Sequence, residues 1–260
     1  MAKQWDSVRV EINDAIGVVT LDHQPLNVLS DAVLEQLEQA IDALQETEVR
    51  AVVLRSASAK AFAAGADISQ FPELTKMSGI ELVEKGKRIF DKLKEGKAPV
   101  ICAVHGLALG AGLELALACD MRVAEENAKM GLPETGLGIL PGYGGTQRLS
   151  RLVGPGKAKE LVLSGVWLNG QEAYEAKLVE RVVPEGQAFE TAYAMAEQIA
   201  GKGPLAIAFA KEAIDEGLDL PLPEAQFLET RMFAKLVGTE DMDEGVKAFN
   251  EKRKPNFTGK

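Results

Sequence analysis

Short apolar runs alternate with helically spaced apolar positions along the first half of the chain. Five runs rich in Val, Ile, Leu and Ala predict strands, at residues 8–12, 18–21, 51–54, 99–104 and 121–124. Between them, apolar residues recur every three or four positions in a helix that Ser30 caps and in a second helix at residues 80–94. A short third helix is predicted after Gly110. This alternation favours an α/β fold with a parallel sheet buried on both faces.

The pattern changes after Thr146. Helical spacing dominates from residue 147 to residue 249, and the only interruption is a short strand predicted at residues 182–183. Pro204, Pro221 and Pro223 are placed as proline is at the first turn of a helix. No low-complexity segment or flexible linker separates the two halves. We therefore expect a compact α/β core followed by a helical C-terminal part.

Composition narrows the class of protein. A chain of 260 residues with 46% hydrophobic residues can bury the core of one large domain. The formal net charge of −10 argues against general affinity for nucleic acid or anionic membranes, although basic residues 247–254 could contact an anion locally. No apolar run reaches about 18 residues, and the start lacks a secretory or transit pattern. Cys102 and Cys119 lie in apolar sequence, which indicates buried thiols in a reducing compartment. We expect a cytoplasmic protein.

Two glutamates are the main candidates for chemistry. Glu114 and Glu134 each follow a glycine-bearing turn in apolar sequence, which is unusual for carboxylates on a solvated face. Two carboxyls in one pocket can divide acid and base roles if their surroundings separate their pKa values. Taken singly, Glu114 could instead stabilise a helix N-terminus, and Glu134 could be an exposed loop residue.

Two loops with small residues could supply backbone donors. Residues 63–66 are all Ala or Gly and follow a strand, and the glycine-rich residues 106–112 open a helix, where free amides and the helix dipole favour negative charge. The amides of Ala66 and Ala111 could therefore meet over one ligand oxygen. The alternatives are a tight loop in which Asp67 is a helix N-cap, and a phosphate cradle.

Several other chemistries lack their signatures. The glycine spacing of a dinucleotide site and the Gly-x-Ser-x-Gly elbow of a serine hydrolase are both absent. His23 and His105 are the only histidines and lack a second ligand at useful spacing, so we assign them hydrogen-bonding roles and predict no metal site. A two-carboxylate glycosidase would need aromatic platforms, and only 5% of the residues are aromatic.

Four motifs together resemble the crotonase superfamily, in the same order and at similar separations across almost the whole chain. They are Phe62-Ala-Ala-Gly-Ala-Asp-Ile, His105-Gly-Leu-Ala-Leu-Gly-Ala-Gly-Leu-Glu114, Gly131-Leu-Pro-Glu134 and Pro141-Gly-Tyr-Gly-Gly-Thr-Gln-Arg-Leu. The resemblance implies a crotonase-like spiral of ββα units over residues 1–195, with the active site and CoA-binding site. It implies a helical C-terminal trimerisation region over residues 196–260, and trimers that pair into hexamers.

The same resemblance implies a reaction. The amides of Ala66 and Ala111 would form an oxyanion hole for the thioester of a 2-trans-enoyl-CoA, and Ala111 replaces a glycine that is common in the family. Glu114 would activate water and Glu134 would protonate the α-carbon, giving 3-hydroxyacyl-CoA without a metal or other cofactor. Relatives that only isomerise double bonds usually lack the first carboxylate, so the pair favours an enoyl-CoA hydratase, a hydro-lyase of fatty-acid breakdown.

The resemblance also implies contacts with the acyl-CoA substrate. The residues expected to make them are Ala64, Asp67, Ile68, Gly112, Phe233 and Lys252. Ile68 and Phe71 would line the pocket for the acyl tail, and Lys252 and Phe233 would contact the CoA nucleotide across a subunit boundary. Two alternatives stay open: a hydratase or dehydratase for a branched or hydroxylated acyl-CoA, and a non-catalytic acyl-CoA-binding module.

Overall fold

A computed structural model describes residues 2–260 and contains eleven strands and ten α-helices over that range. The strands are β1 (Ala2–Gln4), β2 (Val8–Asn13), β3 (Ile16–Leu21), β4 (Ala51–Ser56), β5 (Ala61–Ala63), β6 (Val100–Val104), β7 (Leu107–Leu109), β8 (Met121–Glu125), β9 (Lys129–Gly131), β10 (Leu168–Asn169) and β11 (Arg181–Val183). The helices are α1 (Asp31–Gln45), α2 (Lys76–Glu95), α3 (Ala111–Ala118), α4 (Gly145–Val153), α5 (Pro155–Ser164), α6 (Gly170–Glu175), α7 (Ala188–Ala200), α8 (Pro204–Gly217), α9 (Leu222–Leu236) and α10 (Glu240–Glu251).

A seven-stranded sheet forms the centre of the molecule, in the order β1-β2-β3-β4-β6-β8-β11. The strands β1, β2 and β3 pair antiparallel, and the remaining pairs are parallel. Nearly every residue of β3, β4 and β6 is buried, because helices cover both faces. The helices α1, α2 and α3 pack on one face, and α7 packs on the other. The sequence-based prediction of a buried parallel sheet is confirmed for the central strands.

A second, four-stranded sheet in the order β10-β9-β7-β5 was not predicted. Its strands are only two or three residues long, too short to show alternation, and two of them lie in the segments that we interpreted as loops. The strand β5 runs parallel to β7, and β7 runs parallel to β9. This small sheet matters for function because β5 leads to Ala66 and β7 leads to Ala111.

The first long helix follows the prediction and the second departs from it. Ser30 caps α1 by accepting a hydrogen bond from the Val33 N–H. The helix α2 begins at Lys76, four residues before the predicted start, because Thr75 and Ser78 form a capping box. The predicted start at residue 80 was wrong, since it relied on apolar spacing and missed this polar cap.

Three prolines of the C-terminal part lie at the starts of helices, as predicted. Pro204 opens α8, and α9 follows Pro221 with Pro223 as its second residue. We predicted the boundary between the core and the C-terminal region at residues 195 and 196, which lie inside α7, a helix that covers the central sheet. This boundary stays a prediction. Several large apolar side chains in and just after α8, in α9 and in α10 are exposed in the single chain: Ile214, Leu218, Leu222, Phe227, Phe233, Val246 and Phe249.

Two further findings concern the whole described chain. Over residues 2–260, none of the helices combines the length and the apolar character needed to cross a membrane. Cys102 and Cys119 are free and buried, as predicted, and burial raises the pKa of the Cys102 thiol.

Candidate active site

A cavity of about 1050 Å³ lies between α2, the N-terminus of α3 and the segment that joins β9 to α4. It brings together Val28 and residues from the ranges 64–74, 79–87, 109–114 and 133–147. Seven of the ten predicted site residues line it: Ala64, Ala66, Asp67, Ile68, Ala111, Glu114 and Glu134. Phe71 also lines it, as predicted. This volume is slightly above the range of about 300–1,000 Å³ that is usual for ligand sites.

Two backbone amides at the cavity wall have no internal partner. Among the hydrogen bonds found within residues 2–260, neither the Ala66 N–H nor the Ala111 N–H is a donor. Ala111 is the first residue of α3, where the amide of a helix has no intrahelical acceptor. The neighbours of Ala66 are paired instead, because Leu29 N–H donates to Gly65 O and Asp67 N–H donates to Leu29 O. Two free backbone donors therefore line the cavity and are available to a ligand.

The alanine at position 111 fits the backbone without strain. Gly110 has a positive φ of 53°, which favours glycine, and Ala111 is not among the non-glycine residues with positive φ. The backbone at Ala111 therefore accommodates a Cβ, because the unusual angle falls on the preceding residue.

Glu114 is buried in the first turn of α3, with 2% of its surface exposed. Its Oε1 accepts a hydrogen bond of 2.7 Å from the Gly145 N–H at the start of α4. The pKa of Glu114 is raised to about 7, mainly by burial and also by the nearby Glu134, while hydrogen bonds from backbone amides oppose the rise. A carboxyl with such a pKa exchanges protons near neutral pH, as an acid–base catalyst must.

Glu134 is the first residue of a 3-10 turn, Glu134–Leu137. Its Oε2 is buried and lacks a hydrogen-bond partner within the described chain. Burial raises the pKa of Glu134 too. Its Oε1 lies close to Gly110, where an added Cβ would be 3.1 Å away. Glu134 therefore lies beside Gly110, the residue before Ala111, with one carboxyl oxygen left for a ligand.

Three predicted contacts do not lie at the cavity of the single chain. Gly112 is buried in α3, where an added Cβ would lie 1.9 Å from Ala63 O, so it allows the helix to approach β5 closely. Phe233 and Lys252 are exposed on α9 and just after α10, and neither lines the cavity. Contacts of these two residues with a CoA nucleotide stay predictions, since they require a second copy of the chain.

Sequence reasoning missed much of the apolar wall. The segment after Glu134 contributes Leu137, Ile139 and Leu140, which are 61%, 41% and 63% exposed. The helix α2 contributes Leu82 and Val83 from the opposite side. Exposed apolar residues in a glycine-rich segment could have indicated a binding surface, since turns of this kind are usually polar.

The polar candidates that we set aside have structural roles. His105 Nε2 lies 2.6 Å from Ser58 O, and His23 Nδ1 lies 3.1 Å from Ser7 Oγ, so both histidines make hydrogen bonds as predicted. Asp67 does not cap a helix, so that alternative was wrong; its Oδ1 accepts from the Ser69 N–H at 3.0 Å. Among residues 2–260, His, Cys, Asp and Glu form no group of three that could hold a metal ion.

Comparison with known proteins gives a consistent result. A model of the family described as enoyl-CoA hydratase/isomerase matches residues 11–260. The short-chain-enoyl-CoA hydratase of Clostridium acetobutylicum is 39% identical over 253 residues, which are 96% of this chain and 97% of that protein. The crotonyl-CoA hydratase of Syntrophomonas wolfei is 38% identical over 258 residues, 98% of this chain and 99% of that protein.

A solved structure agrees at the level of the fold. The crystal structure of enoyl-CoA hydratase from Bacillus anthracis superposes with a TM-score of 0.94 at 40% identity, and the match covers 98% of this chain and 100% of that one. The crotonase-like α/β fold expected from the four motifs is therefore confirmed, together with its helical C-terminal region.

Proposed function

The chain belongs to the enoyl-CoA hydratase/isomerase family, and we propose that within it the protein is an enoyl-CoA hydratase. It is a hydro-lyase that adds water reversibly to 2-trans-enoyl-CoA and forms 3-hydroxyacyl-CoA. The observation that carries this assignment is the pair of buried carboxyls, Glu114 and Glu134, in one cavity with the two free amides. One carboxyl would suit isomerisation, whereas addition of water needs a group to take a proton and a group to give one.

The two amides hold the thioester oxygen. Water adds to the β-carbon as negative charge develops on that oxygen, and the Ala66 and Ala111 N–H groups stabilise the charge by hydrogen bonds already in place. Each such donor typically contributes about 2.7–4 kcal/mol to lowering the barrier. The dipole of α3 adds to this, since Ala111 is the first residue of the helix.

The two carboxyls move the protons. Glu114 is held by a hydrogen bond from the Gly145 N–H, and a pKa of about 7 suits a group that takes a proton near neutral pH, so we assign it to orienting and deprotonating the water. Glu134 has a buried carboxyl oxygen without a donor, which favours its neutral form, so we assign it to protonating the α-carbon. In dehydration the roles reverse. The protein supplies every group in this scheme, so we propose that no cofactor is needed.

We expect a bell-shaped pH profile for kcat/KM. The reaction needs one proton on the pair, so the rate falls where both carboxyls are protonated and where both are ionised. The pKa of Glu114, which burial raises to about 7, places one limb of the profile near that pH. Initial rates of crotonyl-CoA hydration measured from about pH 5 to about pH 9 would show it. A flat profile over that range would contradict the role of the pair.

The activity itself is tested with the purified wild-type protein. Crotonyl-CoA should lose the absorbance of its conjugated thioester, and in ²H₂O the 3-hydroxybutyryl product should carry deuterium at the α-carbon. A panel of longer, branched and hydroxylated enoyl-CoA thioesters then ranks kcat/KM. If only a branched or hydroxylated thioester turned over, the alternative hydratase would be supported. Binding of all these thioesters without turnover would instead support a non-catalytic acyl-CoA-binding module.

Assembly and location remain proposals. The exposed apolar side chains of α8, α9 and α10, such as Ile214, Phe227 and Phe249, support burial against other copies of the chain. We propose a homotrimer, or a pair of trimers, whose interfaces bring Phe233 and Lys252 of one copy toward the CoA of another. The cytoplasmic location stays a prediction.

A further inference from the structure

We propose that Asn27, which does not line the cavity, is a positioning residue that fixes the direction of the Ala66 amide and so sets the strength of the oxyanion hole. This inference rests on the proposed function. Asn27 is fully buried and adopts a left-handed conformation with φ of 49°. Asparagine tolerates this region of backbone space better than most residues. Asn27 therefore buries a polar side-chain amide outside the cavity.

The side chain of Asn27 ties two separate segments to each other. Its Nδ2 donates to Phe62 O, in the middle of β5, at 2.9 Å, and to Ser56 Oγ, at the end of β4, at 2.7 Å. Its Oδ1 accepts from the His23 N–H at 2.7 Å. Both donor hydrogens and one lone pair of the oxygen are therefore used. A buried group with this full set of partners holds its neighbours firmly.

The residues that flank Asn27 lie beside the oxyanion segment. Ala64 N–H donates to Leu26 O at 3.0 Å, and Leu29 N–H donates to Gly65 O at 2.8 Å. Asp67 N–H donates to Leu29 O at 3.3 Å. This is a parallel bridge, in which Ala66 lies opposite Leu29. Residues 26–29 thus pair with residues 64–67 on both sides of Ala66, and the amide of Ala66 faces away from that pairing.

Hydrogen bonds of Ser56, Ser58 and His105 support the contact between Asn27 and β5. Ser56 Oγ donates to Ala61 O at 2.7 Å, so its own hydrogen is used and it can only accept from Asn27. Ser58 Oγ donates to Pro25 O, two residues before Asn27, at 2.5 Å. His105 in turn hydrogen-bonds to Ser58 O. The start of β5, the end of β4 and the loop around Asn27 are therefore linked into one polar unit under the oxyanion segment.

Both N–H groups of the Asn27 side chain point at oxygen acceptors, so a negative charge in their place would be repelled. An aspartate has almost the same shape, but its second oxygen would face Phe62 O and a Ser56 hydroxyl whose hydrogen is already donated. Two donors would become repulsive contacts at the base of β5. A displacement of even about 1 Å at a catalytic group can cost about 10²-fold in rate. We therefore expect Ala66 to lose its alignment while the cavity, lined by other residues, still binds acyl-CoA.

The test compares Asn27→Asp with a matched control, Glu125→Gln. Glu125 is also buried, and its Oε1 accepts from the Gly186 N–H at 2.8 Å, away from β5. In Asn27→Asp we expect kcat for crotonyl-CoA to fall about 10- to 10²-fold, with KM changed less than about threefold. In Glu125→Gln both constants should stay near wild type, although either variant can melt at a lower temperature.

A spectroscopic measurement separates positioning from general loosening. The infrared carbonyl stretch of bound [1-¹³C]butyryl-CoA, a saturated thioester that cannot add water, reports the hydrogen bonds to its oxygen. We expect the stretch to move back toward the value for free butyryl-CoA in Asn27→Asp and to stay at the wild-type value in Glu125→Gln. If Asn27→Asp does not fold, Ser56→Ala, which removes one acceptor of Asn27, should produce a smaller change in the same direction.

Two results would overturn the inference: a wild-type carbonyl stretch in a folded Asn27 or Ser56 variant, or an equal change in Glu125→Gln. A wild-type protein that failed to hydrate any enoyl-CoA would contradict the proposed function instead. The carbonyl stretch of bound butyryl-CoA would then still decide whether Asn27 positions the Ala66 amide.

Discussion

Glutamine in place of either Glu114 or Glu134 should lower kcat for crotonyl-CoA hydration by about 10²–10⁴-fold, the usual contribution of a positioned acid or base. Glutamine keeps the shape of the side chain but can no longer exchange a proton. KM should change little, because the thioester oxygen is held by backbone amides that the substitution leaves in place. Steady-state kinetics of Glu114→Gln and Glu134→Gln measure both constants. Near-wild-type kcat in either variant would contradict the mechanism.

The double variant tests whether the carboxyls act as one unit. If each proton transfer depends on the other, Glu114→Gln with Glu134→Gln should be little slower than the worse single variant. Losses that multiply would show that the carboxyls act independently. The hydrogen bond from the Gly145 N–H should survive in Glu114→Gln, because the side-chain amide still offers an oxygen.

Stability provides the control for Glu114→Gln. The folded-state pKa of Glu114 is about 7, above its ordinary value of 4.5, so the folded protein binds this proton more tightly than the unfolded chain. The resulting stabilisation is fully present below about pH 4.5 and is lost as pH rises through 7. A rise from 4.5 to about 7 corresponds to roughly 3 kcal/mol. Urea unfolding at pH 8 should therefore show Glu114→Gln to be more stable than wild type, which excludes unfolding as the cause of its inactivity.

The substitution Gly112→Ala should disrupt the oxyanion hole by separating the helix and the strand that lead to its two amides. An added Cβ at Gly112 would lie 1.9 Å from Ala63 O and 2.9 Å from Ala63 Cβ, so α3 and β5 must separate. These are the elements that carry the two amides. Displacing one donor should reduce kcat by about 10²–10³-fold, and overpacking should destabilise the fold by about 1–3 kcal/mol. Kinetics and urea unfolding of Gly112→Ala measure the two effects.

Gly156→Ala is the matched control. Gly156 lies in α5, and an added Cβ there meets no atom of the described chain within 4 Å. Since alanine favours a helix over glycine by up to about 1 kcal/mol, this variant should be as active as wild type and equally or more stable. Equal behaviour of Gly112→Ala and Gly156→Ala would show that the close approach of α3 to β5 does not position the amides.

Sequence reasoning succeeded where the signal is local. The helix α1 followed from its cap and its apolar spacing, and the long strands β3, β4 and β6 followed from continuous apolar runs. The predictions were wrong or incomplete where a polar contact or a very short strand determines the structure, as at the start of α2 and in the four-stranded sheet. A role for Asn27 was not predicted, because its hydrogen-bond partners Ser56 and Phe62 are about 30 residues away in the sequence.

The sequence by itself determined which chemical groups are available and in what order they follow one another. Two carboxyls twenty residues apart, small residues around Ala66 and Ala111, and the resemblance of four motifs were enough to predict a hydratase. Only the tertiary structure decided that these groups meet in one cavity and that burial raises the pKa of both carboxyls. The physical reason is that a pKa and the direction of an amide depend on surrounding atoms, and most of those atoms come from distant parts of the chain.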